Sequence, residues 1–203
     1  KLAVTIQQTQ DGPDVPEVFE IPTTLYVLQP NGIVREKEIR ITKRMEEFEF
    51  TLNEPPLLIN FDLDKVLLGT VDQNFEKSEA IVLYNNANHF LDKKEAIRLI
   101  KNQKDSASLD LIEKALKDDF WYIRKSAIQA VKKLANERPE RTLEALKEIA
   151  ASDEKSANRA AAVTAISKYF IEEVDMDFLD GRKKDLSYYV ISATLDAVHK
   201  KDA

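Results

Sequence analysis

The spacing of apolar residues changes along the chain, from every second position in the first part to every third or fourth in the rest. Phe48, Phe50 and Leu52 alternate with polar residues, as do the positions between Phe19 and Val27. This alternation is typical of strands with one buried face. The first part of the chain is therefore predicted to form β-strands.

Turn signals separate these predicted strands. Pro30-Asn31-Gly32 is typical of a hairpin turn because Asn and Gly tolerate positive φ, and Pro55-Pro56 ends a strand. Pro22 lies inside a predicted strand, so we expect it at an edge or a bulge. About six short strands with turns about every ten residues predict an all-β antiparallel sandwich. The predicted strands are 2–8, 19–27, 33–42, 48–52, 57–60 and 65–70.

Apolar residues at helical spacing dominate the second part. Leu109, Ile112 and Leu116 lie on one face of a predicted helix. Asp92 and Glu95 have the spacing of a capping box that opens a helix through Ile100. Further apolar stripes lie within 123–134, 143–150, 162–170 and 186–197, with Pro139 predicted in a first turn and Asp185 as an N-cap.

These helices repeat. Residues 119–127 and 153–162 each contain an aspartate, an arginine (Arg124 and Arg159) and an alanine, and 185–193 is a weaker copy without the arginine. The alanines at 127, 162 and 193 are 35 and 31 residues apart. This period predicts an all-α solenoid of HEAT-like repeats, in which the small alanine allows close helix packing. We expect the aspartates and arginines to bond between successive repeats.

Composition supports a division into two domains. Six of the seven prolines precede residue 57, and nineteen of the twenty alanines lie from Ala80 onward. Residues 1–76 carry 7 basic and 14 acidic groups (net −7), whereas 77–203 carry 23 and 22 (net +1). Alanine favours helix, and proline with β-branched residues favours extended chain. We predict a β-sandwich domain over 1–75 and a HEAT-like helical domain over 76–203.

Composition also restricts the chemistry. The absence of cysteine excludes disulfides, thiolate metal ligands and a cysteine nucleophile. A net charge of −6 argues against broad binding of nucleic acid, and no apolar run approaches the ~18 residues of a membrane helix. We therefore expect neither nucleic acid nor membrane as a partner. The chain begins at Lys1 rather than Met, so we expect it to be processed or cut from a longer protein.

No motif predicts a catalytic, cofactor-binding or metal-binding residue. His89 and His199 lie far apart in the sequence, and neither has a potential ligand four residues on. We expect His89 in a loop or at a helix end, and His199 near a helix C-terminus, where the helix dipole favours it. Asp62 and Asp64 are interpreted as part of a turn that joins the domains, and a calcium site is the alternative.

Two groups of residues have two interpretations each. Arg182–Lys184 and Lys200-Lys201 are either solvated surface or a site for an anionic partner. Phe120–Tyr122 either fill the seam between repeats or form an exposed aromatic anchor. Arg124 and Arg159 are interpreted as structural.

The order of these motifs resembles the C-terminal half of the M1-family zinc aminopeptidases, the gluzincins. The similarity is carried by Thr5–Gln10, by Pro55-Pro-Leu-Leu-Ile-Asn-Phe-Asp62 and by Asp118-Asp-Phe-Trp-Tyr-Ile-Arg124. In that family a small β-sandwich follows the catalytic domain, and a HEAT-like domain follows the sandwich.

The resemblance implies a non-catalytic fragment. The family's His-Glu-x-x-His and Gly-x-Met-Glu-Asn motifs are absent here, so no catalytic residue is carried over and no cofactor is expected in this fragment. Zinc is implied for the parent enzyme. The implied partners are the upstream catalytic domain of the same polypeptide and the parent's peptide substrates, whose cleft the fragment would enclose.

Two alternatives remain open from the sequence. The same architecture serves as a protein–protein interaction scaffold in catalytically inactive relatives of that family. A free-standing HEAT adaptor with an added β-domain would also fit, and it predicts a gene that starts close to Lys1.

Overall fold

The computed structural model describes residues Lys1–Asp202 and divides into two compact units. The first unit is Lys1–His89, and the second begins at Phe90. The first unit contains the strands and one helix, and the second contains the remaining described helices. The strands are β1 (Leu2–Gln7), β2 (Ile21–Leu28), β3 (Val34–Ile41), β4 (Met45–Phe50) and β5 (Leu58–Phe61).

The strands form two small antiparallel sheets. Strands β1 and β4 pair with each other, and β2 lies between β3 and β5. The predicted hairpin joins β2 to β3: the Gln29 amide donates to the Ile33 carbonyl at 2.9 Å, and Gly32 has a φ of 76°. Asn31 Oδ1 accepts the Ile33 amide at 3.0 Å, which tightens the turn. The antiparallel β region is thus confirmed, while the sandwich stays a prediction.

One hydrophobic cluster draws on both sheets. Leu25, Val27 and Ile41 of the three-stranded sheet are fully buried, and Phe50 of β4 is buried with them. Side chains at alternate positions of β1 pack against this cluster, as the period-2 pattern predicts. The buried face of each sheet therefore belongs to a shared core.

One strand of the prediction is wrong. Residues 65–70 form a loop, because the Asp62 carboxylate accepts the amides of Val66 and Leu67, both at 3.1 Å, and holds the chain in a turn. Asp62 and Lys65 also have positive φ, which a strand does not allow. The expectation for Pro22 agrees with the structure: β5 pairs only with residues 25–28 of β2, so at Pro22 this strand is open on one side, as at a sheet edge.

Helices make up the rest of the described chain. Helix α1 packs against β5 within the first unit. In the second unit α2, α4, α7 and α9 contact one another in that order, and α3, α6 and α8 pack on α4, α7 and α9. The helices are α1 (Lys77–Asn86), α2 (Phe90–Ile100), α3 (Ser106–Ala115), α4 (Trp121–Ala130), α5 (Lys132–Glu137), α6 (Pro139–Ser152), α7 (Ser156–Tyr169), α8 (Met176–Arg182) and α9 (Tyr188–Lys201).

The packing of α4 and α7 agrees with the repeat prediction. Ala127 and Ala162 are the seventh residues of their helices, and both are fully buried. The third copy was predicted one position early, because the seventh residue of α9 is Thr194 rather than Ala193. Thr194 is fully buried and its hydroxyl donates to the Val190 carbonyl at 2.7 Å, so it occupies the place of the small alanine.

Two helix starts differ from the prediction, and one helix was not predicted. Helix α2 already begins at Phe90, so Asp92 lies inside its first turn rather than at the N-cap. Helix α9 begins after Ser187, which leaves Leu186 exposed before the helix. Helix α8 was not predicted, because its seven residues bury only Leu179 and give no stripe. None of the described helices combines the length and apolar character needed to cross a membrane.

Candidate interaction surface of the helical repeat

The second helix of each pair starts from the same local structure. An aspartate lies two residues before the N-cap of α4, α7 and α9, and its Oδ1 accepts the N-cap amide. These bonds measure 2.9 Å at Asp118, 2.9 Å at Asp153 and 2.8 Å at Asp185. The aspartate therefore satisfies an amide that the turn would otherwise leave without a partner.

Each of these aspartates also binds a cation from the preceding repeat. Arg124 binds Asp153 through two bonds, Nε to Oδ2 at 2.6 Å and Nη2 to Oδ1 at 2.9 Å. Arg159 binds Asp185 in the same way, with both bonds at 2.8 Å. This confirms the predicted bonding between successive repeats. We call these contacts the rungs of the repeat.

A third rung precedes these two. Lys93 Nζ lies 2.7 Å from Asp118 Oδ2. Lys93, Arg124 and Arg159 are each the fourth residue of their helix, so the three cations occupy equivalent positions. The first rung does not stand out in the sequence, because its cation is a lysine where the other two repeats have arginine.

The arginines also bind backbone carbonyls. Arg124 Nη1 donates to the carbonyls of Asp118 and Asp119, both at 2.9 Å, and Arg159 Nη1 donates to the Asp153 carbonyl at 2.8 Å. Each guanidinium thereby links the turn before its own helix to the turn of the next repeat. The planar, five-donor geometry of arginine suits this double role, which lysine cannot copy.

The pKa values of two rung aspartates are lowered. The Arg159 bond, aided by the Ser187 amide and opposed by burial, lowers the pKa of Asp185. Burial alone would raise the pKa of Asp153, but bonds from Arg124, the Lys155 amide and Asn158 outweigh it and lower that pKa. Both carboxylates are therefore held in the charged form.

Asn158 reinforces the middle rung and was not singled out from the sequence. It is fully buried in α7, where its Nδ2 donates to the Trp121 carbonyl at 2.9 Å and to Asp153 Oδ2 at 3.1 Å. The signal in the sequence is an amide at a position that is Ile123 in α4 and Val190 in α9. A polar residue at an apolar position of a repeat indicates a specific hydrogen bond.

An aromatic cluster lies beside the first rung. The ring centroids of Phe90 and Phe120 are 5.3 Å apart, those of Phe90 and Tyr122 are 5.9 Å apart, and Trp121 and Tyr122 meet edge to face at 5.4 Å. Lys94 Nζ lies 5.5 Å from the Tyr122 ring centroid. The two interpretations of residues 120–122 therefore both apply, because the rings join α2 to α4 while Phe90 and Phe120 remain exposed.

The basic runs are engaged within the repeat. Arg182 Nη1 donates to the carbonyls of Ala150 and Ala151 at the end of α6, at 3.2 and 3.1 Å. Lys200 Nζ donates to the Ser167 carbonyl at 2.6 Å, and Lys201 Nζ to the Ile171 carbonyl at 2.8 Å. These cations satisfy carbonyls at or near the C-terminal ends of helices, as the helix dipole favours. This supports a structural interpretation over an anion site.

The remaining candidates from the sequence do not come together in a site. His89 lies in the loop before α2, and His199 lies exposed in the last turn of α9. Asp62 is buried and holds the turn described above, with the Thr23 hydroxyl 3.4 Å away, whereas Asp64 is exposed. Among residues 1–202, no group of three or more histidine, aspartate or glutamate side chains is arranged to hold a metal ion.

Comparison with known protein families matches part of the helical unit to a family. A family model for HEAT repeats matches residues 83–167, which include α2 to α6 and most of α7. No curated protein matches the chain. The chain thus contains a helical repeat region similar to HEAT repeats, preceded by an antiparallel β region. Neither result supports an aminopeptidase origin.

Proposed function

We propose that this chain is a HEAT-type protein–protein interaction scaffold, and that the aromatic cluster around Phe90, Phe120 and Tyr122 is its contact surface. The observation that carries this proposal is that Phe90 and Phe120 of this cluster are exposed within the segment that matches HEAT repeats. Aromatic side chains on a rigid support are the residues that most often dominate binding energy at protein interfaces.

The position of the cluster supports the proposal. It lies at the junction of α2 and α4, which the rung between Lys93 and Asp118 holds together. The rings are therefore ordered before a partner arrives, so less entropy is lost on binding. The Lys94 ammonium beside Tyr122 favours a partner segment that pairs an apolar anchor with an acidic residue.

The test uses the only tryptophan of the chain, Trp121, as an internal probe. Proteins cross-linked to the wild-type chain in cells are identified, and a purified candidate is titrated while Trp121 fluorescence is followed. The double variant Phe90→Ser/Phe120→Ser is expected to weaken binding at least tenfold. Phe19→Ser is the matched control, because Phe19 and Phe90 are both 43% exposed and Phe19 lies in the β unit. Equal affinity for all three proteins would contradict the proposal.

The second hypothesis is the non-catalytic C-terminal region of an M1-like zinc aminopeptidase. The order of an antiparallel β region followed by a helical repeat supports it, as does the packing of both sheets into one cluster, which suits a small sandwich. Under this hypothesis the partner is a catalytic domain upstream of Lys1, zinc belongs to that domain, and the helical unit encloses the peptide cleft.

The two hypotheses differ in what precedes the chain. The aminopeptidase hypothesis requires His-Glu-x-x-His upstream of Lys1 and zinc in the full-length protein. The isolated chain is expected to release no amino acid from aminoacyl-nitroanilides, and chelator-sensitive release by the isolated chain would refute that expectation. A full-length protein without the motif would refute the aminopeptidase hypothesis and leave the scaffold.

A further inference from the structure

Strand β1 has one free edge, because it pairs only with β4. The Gln8 amide donates to the Arg44 carbonyl at 2.8 Å, and this bond sets the alternation of the ladder. The even-numbered residues of β1 therefore bond toward β4, whereas Ala3, Thr5 and Gln7 direct their amides and carbonyls away from the sheet. An edge of this kind pairs readily with another extended chain.

The edges of the other described strands are protected. At β5 the Gln73 side chain occupies the edge: its Nε2 donates to the Ile59 carbonyl at 2.6 Å, and its Oε1 accepts the Phe61 amide at 3.1 Å. Strands β3 and β4 carry five and three charged residues, which oppose pairing with a further strand. Strand β1, with the sequence Leu-Ala-Val-Thr-Ile-Gln, carries none. Its edge is therefore the unprotected one among these strands.

The inner face of the three-stranded sheet is incompletely covered. Lys37 Nζ of β3 lies 5.0 Å from the ring centroid of Phe50 of β4, so these two strands face each other. From there one sheet continues to β1, and the other continues through β2 to β5. The two-stranded sheet is thus one strand short opposite β5. In agreement, Ile59 and Phe61 pack against the core cluster but are only half-buried, whereas Leu25 of β2 is fully buried.

The charges beside this edge indicate what kind of strand fits it. On the outer face of the sheet Thr5 lies opposite Glu47 of β4, and Glu47 is exposed. Because Thr5 is short, a basic side chain on a strand beside β1 can extend across it to Glu47. Residues 1–76 carry 7 basic and 14 acidic groups (net −7), so a second copy of the β unit would be repelled and a basic segment attracted.

We propose that β1 binds an extended segment of a partner protein, which joins the two-stranded sheet as its third strand and alternates apolar with basic residues. The backbone of the segment pairs with the odd-numbered residues of β1. Its apolar side chains cover Ile59 and Phe61, and its basic side chains point outward to Glu47. This surface lies in the β unit and the aromatic cluster lies in the helical unit, so the proposal does not depend on the proposed function.

The first test titrates the chain into two labelled peptides while fluorescence anisotropy is followed. The probe is Thr-Val-Arg-Val-Arg-Val-Thr, and the control is Thr-Arg-Arg-Val-Val-Val-Thr, which has the same composition without the alternation. The alternating peptide is expected to bind at least about tenfold more tightly, because only it presents apolar residues on one face of a strand. Equal affinity for the two peptides, or no binding of either up to ~1 mM, would overturn the proposal.

The second test locates the bound peptide by amide hydrogen exchange on the wild-type chain. The amides of Ala3, Thr5 and Gln7 are expected to exchange at least about tenfold more slowly with the peptide bound, because they gain its carbonyls as partners. The amides of Val4 and Ile6 already bond toward β4 and are expected to change little. Binding that leaves the exchange of the first three amides unchanged would overturn the proposal.

Variants then test the edge and the charge separately. Thr5→Pro removes an amide that faces the edge and is expected to weaken binding at least about tenfold. Glu38→Pro is the matched control, because its amide also points away from its sheet, at the edge of β3, and a change within about twofold is expected. Glu47→Gln is expected to weaken binding of the arginine peptide about threefold and to leave Thr-Val-Thr-Val-Thr-Val-Thr unaffected.

The same variants define the contrary outcomes. Equal losses in Thr5→Pro and Glu38→Pro would contradict strand addition at β1, and circular dichroism checks that both keep their fold. Equal effects of Glu47→Gln on the two peptides would contradict the basic character of the segment. A wild-type chain that dimerises in sedimentation, and that Thr5→Pro returns to a monomer, would overturn the partner segment in favour of a second copy.

Discussion

The two units use ion pairs in different ways. In the β unit ion pairs such as Arg40–Glu20 lie on the surface, and the Arg40 side chain is 65% exposed. In the helical unit the rungs are partly or fully buried, and the Asp153 side chain is only 2% exposed. Ion pairs therefore lie on the surface of the β unit, whereas in the helical unit the rungs join successive repeats.

The difference follows from where each fold leaves backbone groups without partners. Strands pair their amides and carbonyls with neighbouring strands, so a small sheet needs side-chain partners only at its edges. Every helix leaves amides at its start and carbonyls at its end. The helical unit has such an end in each repeat, and the Asp–Arg rungs satisfy these groups while they neutralise each other.

The difference between buried and exposed ion pairs is tested most directly by removing one arginine from each unit. Arg124→Ala is expected to lower the free energy of unfolding of the helical unit by about 3–5 kcal/mol, because it leaves the buried Asp153 charge and two carbonyls without their partner. Arg40→Ala in the β unit is expected to cost less than about 1 kcal/mol. Denaturant unfolding, with Trp121 fluorescence for the helical unit and hydrogen exchange for the strands, measures both. Similar costs for the two variants would contradict the distinction.

The β unit is expected to depend on its apolar cluster instead. Leu25 is fully buried in β2, so Leu25→Ala is expected to destabilise the β unit by about 2–4 kcal/mol through lost burial and a cavity. Hydrogen exchange of the β2 amides measures this cost. The exposed Leu68→Ala is the control, with no measurable effect expected. Unchanged exchange in Leu25→Ala would mean that the cluster does not hold the sheets.

A conservative change separates charge from geometry in a rung. Arg159→Lys keeps the positive charge but loses the paired bonds to Asp185 and the bond to the Asp153 carbonyl. We expect a cost of about 1–2 kcal/mol, smaller than for Arg124→Ala. Denaturant unfolding of this variant beside Arg159→Ala checks it. A lysine variant as stable as wild type would show that charge alone suffices.

Acid offers the mildest perturbation. Because the folded pKa values of Asp153 and Asp185 lie below the ordinary value of ~3.9, these groups add stability at pH above it. That contribution is lost as the pH falls from there through the folded pKa values. The unfolding free energy of the helical unit is expected to drop over this range, and Asp185→Asn should flatten the drop. An unchanged pH profile in that variant would contradict the assignment.

More of the helical repeat than of the β unit could be predicted from the sequence. The recurrence of Asp and Arg with an alanine predicted bonds between successive repeats, because a repeat places equivalent residues in equivalent surroundings, and the structure shows these bonds as Arg124–Asp153 and Arg159–Asp185. The loop at 65–70 could not be predicted, because its apolar residues favour a strand and a long-range feature, the buried Asp62 carboxylate, overrides them.

The surfaces depend on packing that the sequence does not encode locally. Residues 120–122 stand out in the sequence as an aromatic run. Their contact with Phe90 does not, because Phe90 precedes Phe120 by 30 residues and belongs to a different helix. The exposure of Leu195 could not be predicted, because the residues at the same position of α2, α4 and α7 are also apolar but are buried. The predicted apolar face of α9 included Leu186, which is exposed as well. Only the position of α9 in the stack distinguishes Leu195 from its buried equivalents.

Asp153 belongs to two rungs at once, since its carboxylate accepts from Arg124 and its carbonyl accepts from Arg159. When the turn at Asp153 opens, both arginines lose a ligand, so neighbouring repeats are expected to melt together rather than one by one. Interfaces of this kind set how far cooperativity spreads along a repeat array. We therefore expect the helical unit to unfold in a single sharp transition. A variant that removes the contact of Asp153 with Arg124 or with Arg159 should broaden this transition.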